Sequence, residues 1–307
     1  MMRDEPRKPA WLKIDLSSTD SYSHTSHTIT SGGLHTICSS GKCPNRAECW
    51  SHGTATFMIG GNYCTRRCRF CATAYMSKPP ALNPDEPESV ARSVREMGLS
   101  YAVVTSVDRD DLEDSGASHW AETVRAIRRL SPETKIEVLI PDFRWDMSAV
   151  DTVLEAGPDV VGHNVETVRR LTPHVRYRAT YDGSLDVLRH IADQGFIAKT
   201  GIMLGLGETE EEVLETMRDC YDVGVQTMTI GQYLRPTRQH IPVVEYIHPD
   251  RFRVYAEEGR AIGLKHVESG PLVRSSYHAA DQFDTAKNFL DLRDLAARRT
   301  QVRRDDK

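Results

Sequence analysis

The sequence predicts an α/β fold built around a parallel sheet, and three observations support that prediction. From about residue 54, short apolar runs alternate with segments in which apolar residues recur at three- and four-residue spacing. Several of these longer segments end in glycine, the residue that commonly closes a helix. The connections are mostly short, and strands that alternate with helices pair in parallel. About six strand–helix units are visible, which fits either an open doubly wound sheet or an incomplete barrel.

The predicted strands are short apolar runs bounded by turn residues. They are TATFMIGG (54–61), YAVVTSV (101–107), KIEVLIP (135–141), DVVGHNV (159–165), IAKTGIMLGL (197–206) and TMTIGQYL (227–234). The predicted helices show the apolar spacing of an amphipathic helix. They are PESVARSVREMG (87–98), SHWAETVRAIRRLS (118–131), SLDVLRHIADQG (184–195), EEEVLETMRDCYDVG (210–224) and DRFRVYAEEGRAIG (250–263).

This alternation and its flanks divide the chain into three predicted parts. Residues 1–53 form an N-terminal extension that carries three cysteines, and residues 54–269 hold the strand–helix repeat. Residues 270–307 form a C-terminal extension with an Arg-Ser-Ser-Tyr motif and a charged terminal helix. Within the first part, SSTDSYSHTSHTITSGG (17–33) is rich in Ser, Thr and Gly and is predicted to be loop.

Composition and charge exclude several classes of function. The 307 residues are 39% hydrophobic and 27% charged, as in an ordinary soluble enzyme, and the net charge of −5 argues against a non-specific nucleic-acid binder. No apolar run approaches the roughly 20 residues that a membrane span requires. The N-terminal residues lack the apolar core of a signal peptide. We therefore expect a cytoplasmic protein with reduced thiols and with neither nucleic acid nor a membrane as partner.

The cysteines are the most informative feature of the sequence. Six of the seven form two triplets, Cys38, Cys43 and Cys49, and then Cys64, Cys68 and Cys71. Structural zinc needs four closed ligands, and neither triplet supplies a fourth cysteine or a suitably spaced histidine. Iron–sulfur clusters are held by closely spaced cysteine thiolates, and a four-iron cluster with three of them keeps one iron open.

The seventh cysteine and the arginines of the second triplet also bear on this assignment, and the role of the arginines has two possible interpretations. Cys220 stands alone in a helical pattern, where a small buried apolar residue is expected. The arginines between the thiols of the second triplet either offset the negative charge of a cluster or are solvated loop residues. They are Arg66, Arg67 and Arg69.

The second triplet, Cys-x-x-x-Cys-x-x-Cys with Phe70 before the last cysteine, follows the first predicted strand and resembles the radical S-adenosylmethionine superfamily. This resemblance implies a partial (βα)6 barrel of parallel strands, with the active site at the carboxyl ends of the strands. It also implies a four-iron cluster whose open iron is chelated by S-adenosylmethionine, and whose electron releases a 5′-deoxyadenosyl radical.

Several further stretches, collinear from about residue 8 to 282, resemble the lipoyl synthases. They are RKPAWLKI, CSSGKCPNRAECW, TATFMIGG, CTRRCRFC, TSVDRDDL, KTGIMLGLGE, GQYLRPTRQHIPVVEYIHP and RSSYHA. This resemblance implies radical insertion of two sulfur atoms at the sixth and eighth carbons of a protein-bound octanoyl-lysine, giving lipoyl-lysine. Such C–H bonds are unactivated, so that no side-chain base could remove the proton. The sequence departs from the common family wording at CSSGK, where many members are acidic, and at ATAYMSKPP.

The resemblance assigns the sulfur to a second, auxiliary four-iron cluster held by Cys38, Cys43 and Cys49. It implies that a serine oxygen from the Arg-Ser-Ser-Tyr motif holds the fourth iron, and Ser275 is assigned to this role ahead of Ser276. On the residues alone, a capping or turn role is favoured for these serines.

Four polar residues at the ends of predicted strands are expected to contact S-adenosylmethionine: Thr105, Ser106, Asn164 and Glu166. A carboxylate such as Glu166 suits ribose hydroxyls, as it does in dinucleotide sites. Each of the four could equally be a cap or turn residue.

Neighbouring residues are given structural roles. Glu208, in GLGE, is expected near a helix start, because the stretch lacks a phosphate-loop pattern. Hydrogen-bonding or loop roles are expected for His35, His52 and His163.

The resemblance also implies partners. These are octanoylated lipoyl-carrier domains of 2-oxoacid dehydrogenases or the glycine-cleavage carrier protein, a ferredoxin- or flavodoxin-type reductant, and an iron–sulfur carrier that rebuilds the auxiliary cluster. Two other functions fit part of the pattern. A biotin-synthase-like sulfur inserter or a methylthiotransferase would not predict the first triplet together with the Arg-Ser-Ser-Tyr motif. An electron carrier or cluster scaffold would normally close both clusters with four cysteines.

Overall fold

The computed structural model describes residues 6–13, 20–52 and 55–283, so the predicted terminal helix lies outside the described residues. The α-helices in these ranges are α1 (Asp20–Ser31), α2 (Ile37–Ser40), α3 (Arg46–Ser51), α4 (Glu86–Glu96), α5 (Ala117–Leu130), α6 (Met147–Leu154), α7 (Thr172–Val175), α8 (Tyr181–Asp193), α9 (Glu210–Asp222) and α10 (Pro249–Ile262). The strands are β1 (His35–Thr36), β2 (Thr56–Ile59), β3 (Tyr63–Cys64), β4 (Ala74–Tyr75), β5 (Tyr101–Ser106), β6 (Lys135–Leu139), β7 (Val160–Gly162), β8 (Ile197–Leu204), β9 (Thr227–Gln232) and β10 (His266–Gly270). Two short 3-10 helices cover Ala10–Leu12 and Phe143–Trp145.

One large sheet organises the fold, with the strand order β1-β2-β5-β6-β7-β8-β9-β10. All neighbouring pairs from β2 to β10 are parallel, and only β1 runs antiparallel, against β2. β3 and β4 pair separately. Because each parallel crossover carries its helix back across the sheet, the arrangement is the predicted α/β partial barrel.

The sheet has one parallel strand more than the sequence predicted. All six predicted strands are present, and β10 adds a seventh beside β9. Its sequence, HVESG, buries only Val267, because β10 ends the strand order and its other residues are half-buried. A strand of this kind lacks the apolar run on which the prediction depended.

The prediction of loop for residues 17–33 was wrong over most of its length, because α1 covers Asp20–Ser31. The buried side of this helix holds Thr25, Thr28 and Ile29, at the spacing of one helical face. Thr25 also donates a hydrogen bond from Oγ1 to the carbonyl oxygen of Trp50. Two of the three buried residues are threonines, so counting apolar residues did not reveal the helical stripe.

The predicted helix α9 shows both the capping interactions at its start and the buried apolar face that its sequence indicates. At the start of α9, the Thr209 hydroxyl accepts from the backbone N–H of Glu212, and the Glu212 carboxylate accepts from the backbone N–H of Thr209. The buried face of α9 includes Val213, Met217 and Cys220, which confirms Cys220 as a buried apolar residue.

Side chains along the strands alternate between the helices and the interior of the barrel. On β5, Ala102 and Val104 pack in the apolar core with the covering helices. Val103 and Thr105 instead line a central cavity, as the two-residue period of a strand requires. The sheet therefore offers one face to the helices and the other to a site. Within the described ranges, no helix is both long and apolar enough to span a bilayer.

Candidate active site

The cavity opens at the carboxyl ends of the parallel strands and has a volume of about 930 Å³. It brings together ten of the eleven residues that were assigned as cluster ligands or as contacts to S-adenosylmethionine: Cys38, Cys43, Cys64, Cys68, Cys71, Thr105, Ser106, Asn164, Glu166 and Ser275. Cys49 is the exception, because it lies on the short helix α3 and packs beside the apolar core. Residues from distant parts of the chain thus share one enclosed volume, at the face where barrel enzymes build their sites.

The loop of the second triplet begins directly after β2. Gly60 and Gly61 turn the chain with φ of +82° and +92°, a conformation that L side chains rarely adopt. The backbone N–H of Arg66 then points at the Cys64 sulfur at 3.4 Å, and the N–H of Tyr177 at the Cys68 sulfur at 3.5 Å. Backbone donors of this kind are among the groups that tune the sulfurs of an iron–sulfur cluster.

Arg66 anchors this loop from within. Its guanidinium is 4% exposed and donates to both carboxylate oxygens of Asp142 at 2.7 and 2.6 Å, and to both of Asp110 at 2.9 and 2.8 Å. Asp108 completes the set at 3.3 Å. The side chain is therefore neither solvated nor free to offset a cluster's charge, so neither interpretation offered from the sequence describes it.

The other two arginines of the loop are exposed and differ from Arg66 in their contacts. Arg67 lies over the ring of Tyr75, with its Cζ 3.7 Å from the ring centroid. Arg69 donates from Nη1 to the carbonyl oxygen of His174 at 3.2 Å. Both are thus held at the surface of the loop.

Among the thiols that line the cavity, Cys64 is buried, and Cys43, Cys68 and Cys71 are half-buried. Their removal from water shifts the pKa values of these four thiols. It raises the pKa of Cys68 to about 11, and it also raises the pKa values of Cys43, Cys64 and Cys71. In each case burial is the largest cause, because it disfavours the charged form. A cysteine ligates iron as its thiolate, so bound iron would supply the positive charge that stabilises the thiolate form here.

The loop of the first triplet meets the C-terminal segment. Asn45 donates from Nδ2 to the carbonyl oxygen of Leu272 at 2.7 Å, and Tyr277 donates from its hydroxyl to the carboxylate of Glu48 at 3.2 Å. Arg274 lies close enough to Cys43 to lower the pKa of that thiol against the larger effect of burial. The two distant segments that the family resemblance assigns to the auxiliary cluster are therefore in contact.

The two serines of the Arg-Ser-Ser-Tyr motif have different partners. The Ser276 hydroxyl oxygen accepts from Thr56 Oγ1 at 2.8 Å. Ser275 Oγ accepts from Asn164 Nδ2 at 2.9 Å, and the same nitrogen lies 3.2 Å from the carboxylate of Glu166. Asn164 thereby connects the residue expected at the auxiliary cluster to one expected at S-adenosylmethionine.

The remaining residues expected at S-adenosylmethionine lie where their strands end. Thr105 donates from Oγ1 to the carbonyl oxygen of Leu139 at 3.2 Å, and Ser106 is the last residue of β5. Glu166 has a φ of +73° and forms an isolated parallel bridge with Ile202. Burial raises the pKa of Glu166, and the nearby Arg176 opposes that shift.

Three functional candidates were missed by reasoning from the sequence. Asp142 and Asp108 bind Arg66, and Arg176 lines the cavity near Glu166. Asp108 lies in TSVDRDDL, a stretch whose resemblance was noted without assigning a role to the residue. Arg176 lies between α7 and α8 in irregular backbone, so no periodic pattern pointed to it.

Two of the residues expected to have structural roles, His163 and Glu208, show contacts of that kind. His163 is buried between the carbonyl oxygen of Ile140 and the hydroxyl of Ser184, each at 3.0 Å. Glu208 accepts from the backbone N–H groups of Gly205 and Leu206, just before α9 begins.

The donor set fits iron–sulfur clusters. All seven cysteines are free thiols. Among the residues that the structure describes, no group of three or more Cys, His, Asp or Glu side chains is placed to hold a single metal ion. A four-iron cluster binds each thiolate to a different iron, so its ligands need not converge on one point.

Comparison with known proteins agrees with the fold and the site. A family model described as the radical SAM superfamily matches residues 58–220, more than half of the chain. With the parallel sheet and the thiol triplet after β2, this match makes the protein an enzyme of the radical S-adenosylmethionine superfamily.

Curated relatives narrow the class. The lipoyl synthase of Parabacteroides distasonis is 58% identical over 278 residues, which cover 91% of this chain and 99% of that protein. The lipoyl synthase of Flavobacterium johnsoniae is 55% identical over 275 residues, which cover 89% of this chain and 95% of that protein. The chain belongs to the lipoyl synthase family. It is a sulfurtransferase of the radical type, with S-adenosylmethionine, a radical-forming four-iron cluster and an auxiliary four-iron cluster as cofactors.

Solved structures support the fold alone. Streptococcus suis SuiB, bound to its precursor peptide SuiA, aligns with a TM-score of 0.55 at 14% identity, over 69% of this chain and 48% of that one. Methylornithine synthase (PylB) aligns with a TM-score of 0.51 at 16% identity, over 63% and 58%. The chain thus spans about half the length of these solved proteins.

Proposed function

We propose that this chain inserts two sulfur atoms at the sixth and eighth carbons of a protein-bound octanoyl-lysine, giving lipoyl-lysine. The observation that supports this proposal most strongly is the single cavity lined by residues of both cysteine triplets and by Ser275. A sulfur donor and a radical source must both reach the same alkyl chain, and one shared volume meets that requirement.

The proposed ligands of the radical-forming cluster are Cys64, Cys68 and Cys71. Those of the auxiliary cluster are Cys38, Cys43, Cys49 and Ser275. When bound, the clusters supply the electron that cleaves S-adenosylmethionine and the sulfur that is inserted. Arg66 holds the loop of the second triplet through its aspartates, and the backbone N–H groups of Arg66 and Tyr177 stabilise negative charge on two of the sulfurs.

The proposed contacts to S-adenosylmethionine are Thr105, Ser106, Asn164 and Glu166, and we add Arg176. A guanidinium suits the carboxylate of the methionyl group, and Glu166 suits the ribose hydroxyls. Asn164 would then orient Ser275 and Glu166 together, because its side-chain nitrogen lies within 3.2 Å of both.

The cavity also suits an alkyl chain. Apolar side chains from five segments contribute to its lining, among them Ile37, Val103, Leu139, Met203 and Leu234. Each methylene taken out of water there stabilises binding by about 0.8 kcal/mol. The walls can therefore hold an octanoyl chain and exclude water from the radical.

Further proposals concern the setting of the reaction. The carrier would be a lipoyl domain of a 2-oxoacid dehydrogenase or the glycine-cleavage carrier protein, and the electron donor a ferredoxin or flavodoxin. An iron–sulfur carrier would rebuild the auxiliary cluster after each turnover. Seven reduced thiols suit the cytoplasm. The division of the chain at residues 53 and 269 likewise stays a prediction.

Anaerobic turnover tests the proposed function. The reconstituted enzyme is incubated with S-adenosylmethionine, dithionite and an octanoyl-lysyl peptide, and the peptide mass is followed. A gain of two sulfur atoms, with formation of 5′-deoxyadenosine, is expected. 5′-Deoxyadenosine without any sulfur on the peptide would refute the proposal and favour another radical reaction.

A further inference from the structure

The exposed charged residues that line the cavity are all basic. Among the charged residues that line it, the exposed ones are Lys8, Lys42, Arg67 and Arg69. We call these four the basic mouth. The acidic residues that line the same cavity are buried or half-buried, and they are Asp108, Glu137, Asp142 and Glu166. The exposed part of the lining is therefore positive, whereas its buried and half-buried part holds these four carboxylates together with Arg66, Arg176, Arg235 and Arg274.

The charges of the basic mouth are not neutralised by the described part of the chain. None of the four forms an ion pair with another described residue. The chain as a whole carries a net charge of −5, so a positive patch at one opening is a departure from its average surface. Such a patch attracts an acidic partner and speeds its association.

Two of the four side chains are held in place. Arg67 is stacked on Tyr75, and Arg69 is tied by its guanidinium to the carbonyl oxygen of His174. The backbone N–H of Arg69 also donates to the carbonyl oxygen of Val175 at 2.9 Å. Binding a partner therefore costs less side-chain entropy than it would if these two arginines moved freely.

The basic mouth joins three segments that are distant in sequence. Lys8 belongs to the N-terminal segment 6–13, Lys42 to the loop of the first triplet, and Arg67 and Arg69 to the loop of the second. All three segments line the cavity, so exposed basic side chains from each of them lie where the cavity meets solvent, on the side from which an acyl chain must enter. A partner that only delivers electrons needs to approach one cluster and does not need to reach the opening of the cavity.

We propose that the basic mouth is the docking surface for an acidic face of the carrier domain that presents the octanoyl-lysine. This inference rests on the proposed function and adds the chemistry by which the substrate protein is recognised. The carrier is expected to have Asp and Glu side chains around the modified lysine, facing Lys8, Lys42, Arg67 and Arg69. Rim charges of this kind affect association and its salt dependence more than the chemical step.

The test compares two substrates with dithionite as reductant. One is an octanoylated carrier domain with acidic residues around its lysine, and the other is a neutral octanoyl-lysyl peptide. For the parent enzyme, kcat/KM with the domain should fall steeply as salt is raised, while kcat/KM with the peptide changes little. In the double variant Lys8→Glu, Lys42→Glu, the domain-to-peptide ratio of kcat/KM should fall at least tenfold.

Controls separate docking from damage to the site. Arg95 is exposed on α4 and does not line the cavity, so Arg95→Glu should leave the ratio unchanged. Because Lys42 adjoins Cys43, the double variant must also be checked for loss of the auxiliary cluster. Its iron content and cluster spectra should match those of the parent. Direct titration of the domain into reconstituted enzyme without reductant should show the same loss of affinity.

Three outcomes would overturn the inference. One is an equal fall for peptide and domain, and the second is an unchanged ratio in the double variant. The third is a defect seen only when an acidic protein reductant replaces dithionite, which would give the surface to the electron donor. Failure of the proposed function would look different, because the parent enzyme would then add no sulfur to either substrate.

Discussion

Arg66 shows how a single residue can fix the geometry of the candidate active site. It lies between two proposed cluster ligands, yet its charge is directed away from them, into Asp108, Asp110 and Asp142. Three carboxylates around one buried cation tie the triplet loop to the loops that follow β5 and β6. The loop can therefore keep its shape before any iron arrives.

Replacing Arg66 by Ala should destabilise the protein strongly. The buried Asp142 would lose its cationic partner, whereas Asp110 would keep its ion pair with Arg178, and an uncompensated buried charge such as that of Asp142 typically costs about 3–5 kcal/mol. Urea unfolding of parent and variant measures the difference. Arg125→Ala is the matched control, because the Arg125–Glu122 pair is exposed and its loss should cost at most about 1 kcal/mol. Equal losses in the two variants would contradict the anchoring role.

His163 is a second residue whose burial has a measurable effect. Burial lowers its pKa to about 4, and Arg176 and Arg66 add to the shift while Asp142 opposes it. The ring donates from Nδ1 to the carbonyl oxygen of Ile140, and the unprotonated Nε2 lies 3.0 Å from the hydroxyl oxygen of Ser184. A second proton would have to enter between Ser184 and the nearby guanidinium of Arg176.

Stability should consequently fall as the pH is lowered through a defined window. Below pH 6.5 the unfolded chain binds a proton at this histidine, whereas the folded protein does not until about pH 4. The unfolded state thus binds more protons, so the free energy of unfolding rises by on the order of 3 kcal/mol from pH 4 to pH 6.5. Above pH 6.5 this contribution is constant. His163→Gln should remove this part of the slope. Urea unfolding of parent and variant between pH 5 and 8 tests it, and parallel curves would contradict the assignment.

At the scale of elements, the sequence predicted the helices and strands whose burial leaves a periodic pattern of apolar residues. The six apolar strands, the five amphipathic helices and both cysteine triplets were predictable, because burial on one face leaves a repeating pattern. β10 and α1 were not, since β10 has only Val267 fully buried and α1 buries threonines. The network of Arg66 with its three aspartates was equally invisible, because those partners lie 42 to 76 positions away in the chain and no local spacing joins them.

The C-terminal segment after β10 crosses the end of β9 so closely that only glycine fits at Gly231. A Cβ there would lie 2.2 Å from the backbone carbonyl oxygen of Val273. Gly231→Ala should therefore push the Arg-Ser-Ser-Tyr segment outward and cost about 1–3 kcal/mol. Because Ser275 is the proposed fourth ligand of the auxiliary cluster, that cluster should also bind less iron, while the radical-forming cluster is retained.

A neighbouring glycine provides the control for this prediction. At Gly270 a Cβ would meet only a side-chain methyl group of Val273, at 3.3 Å, which requires a shift of a few tenths of an ångström and no movement of backbone. Gly270→Ala should be tolerated better, in both the unfolding free energy and the iron content. Equal iron loss in the two variants would argue against the crossing segment as the cause.

At the scale of the whole molecule, the barrel joins the two ends of the described chain over one cavity. The first triplet precedes the barrel, Ser275 follows it, and contacts such as Asn45 to Leu272 and Thr56 to Ser276 bring them together. The second triplet belongs to the barrel itself, on the loop after β2. Sulfur donation and radical formation are therefore assigned to different parts of the fold, although they share one volume.

This separation predicts that the two activities can be uncoupled. Cys38→Ala and Cys43→Ala should lower the iron content from about eight to about four per chain, because one four-iron cluster is lost. These variants should still form 5′-deoxyadenosine from S-adenosylmethionine and dithionite, since the second triplet and Arg66 are untouched, but they should add no sulfur to the octanoyl peptide.

Cys64→Ala should do the reverse, keeping about four irons of the auxiliary cluster and forming no 5′-deoxyadenosine. Cys220→Ala is the matched control, because that thiol is 0% exposed and lies on α9 away from the cavity, so both activities should persist. Lipoyl product at the parent rate from Cys38→Ala would show that the sulfur comes from elsewhere.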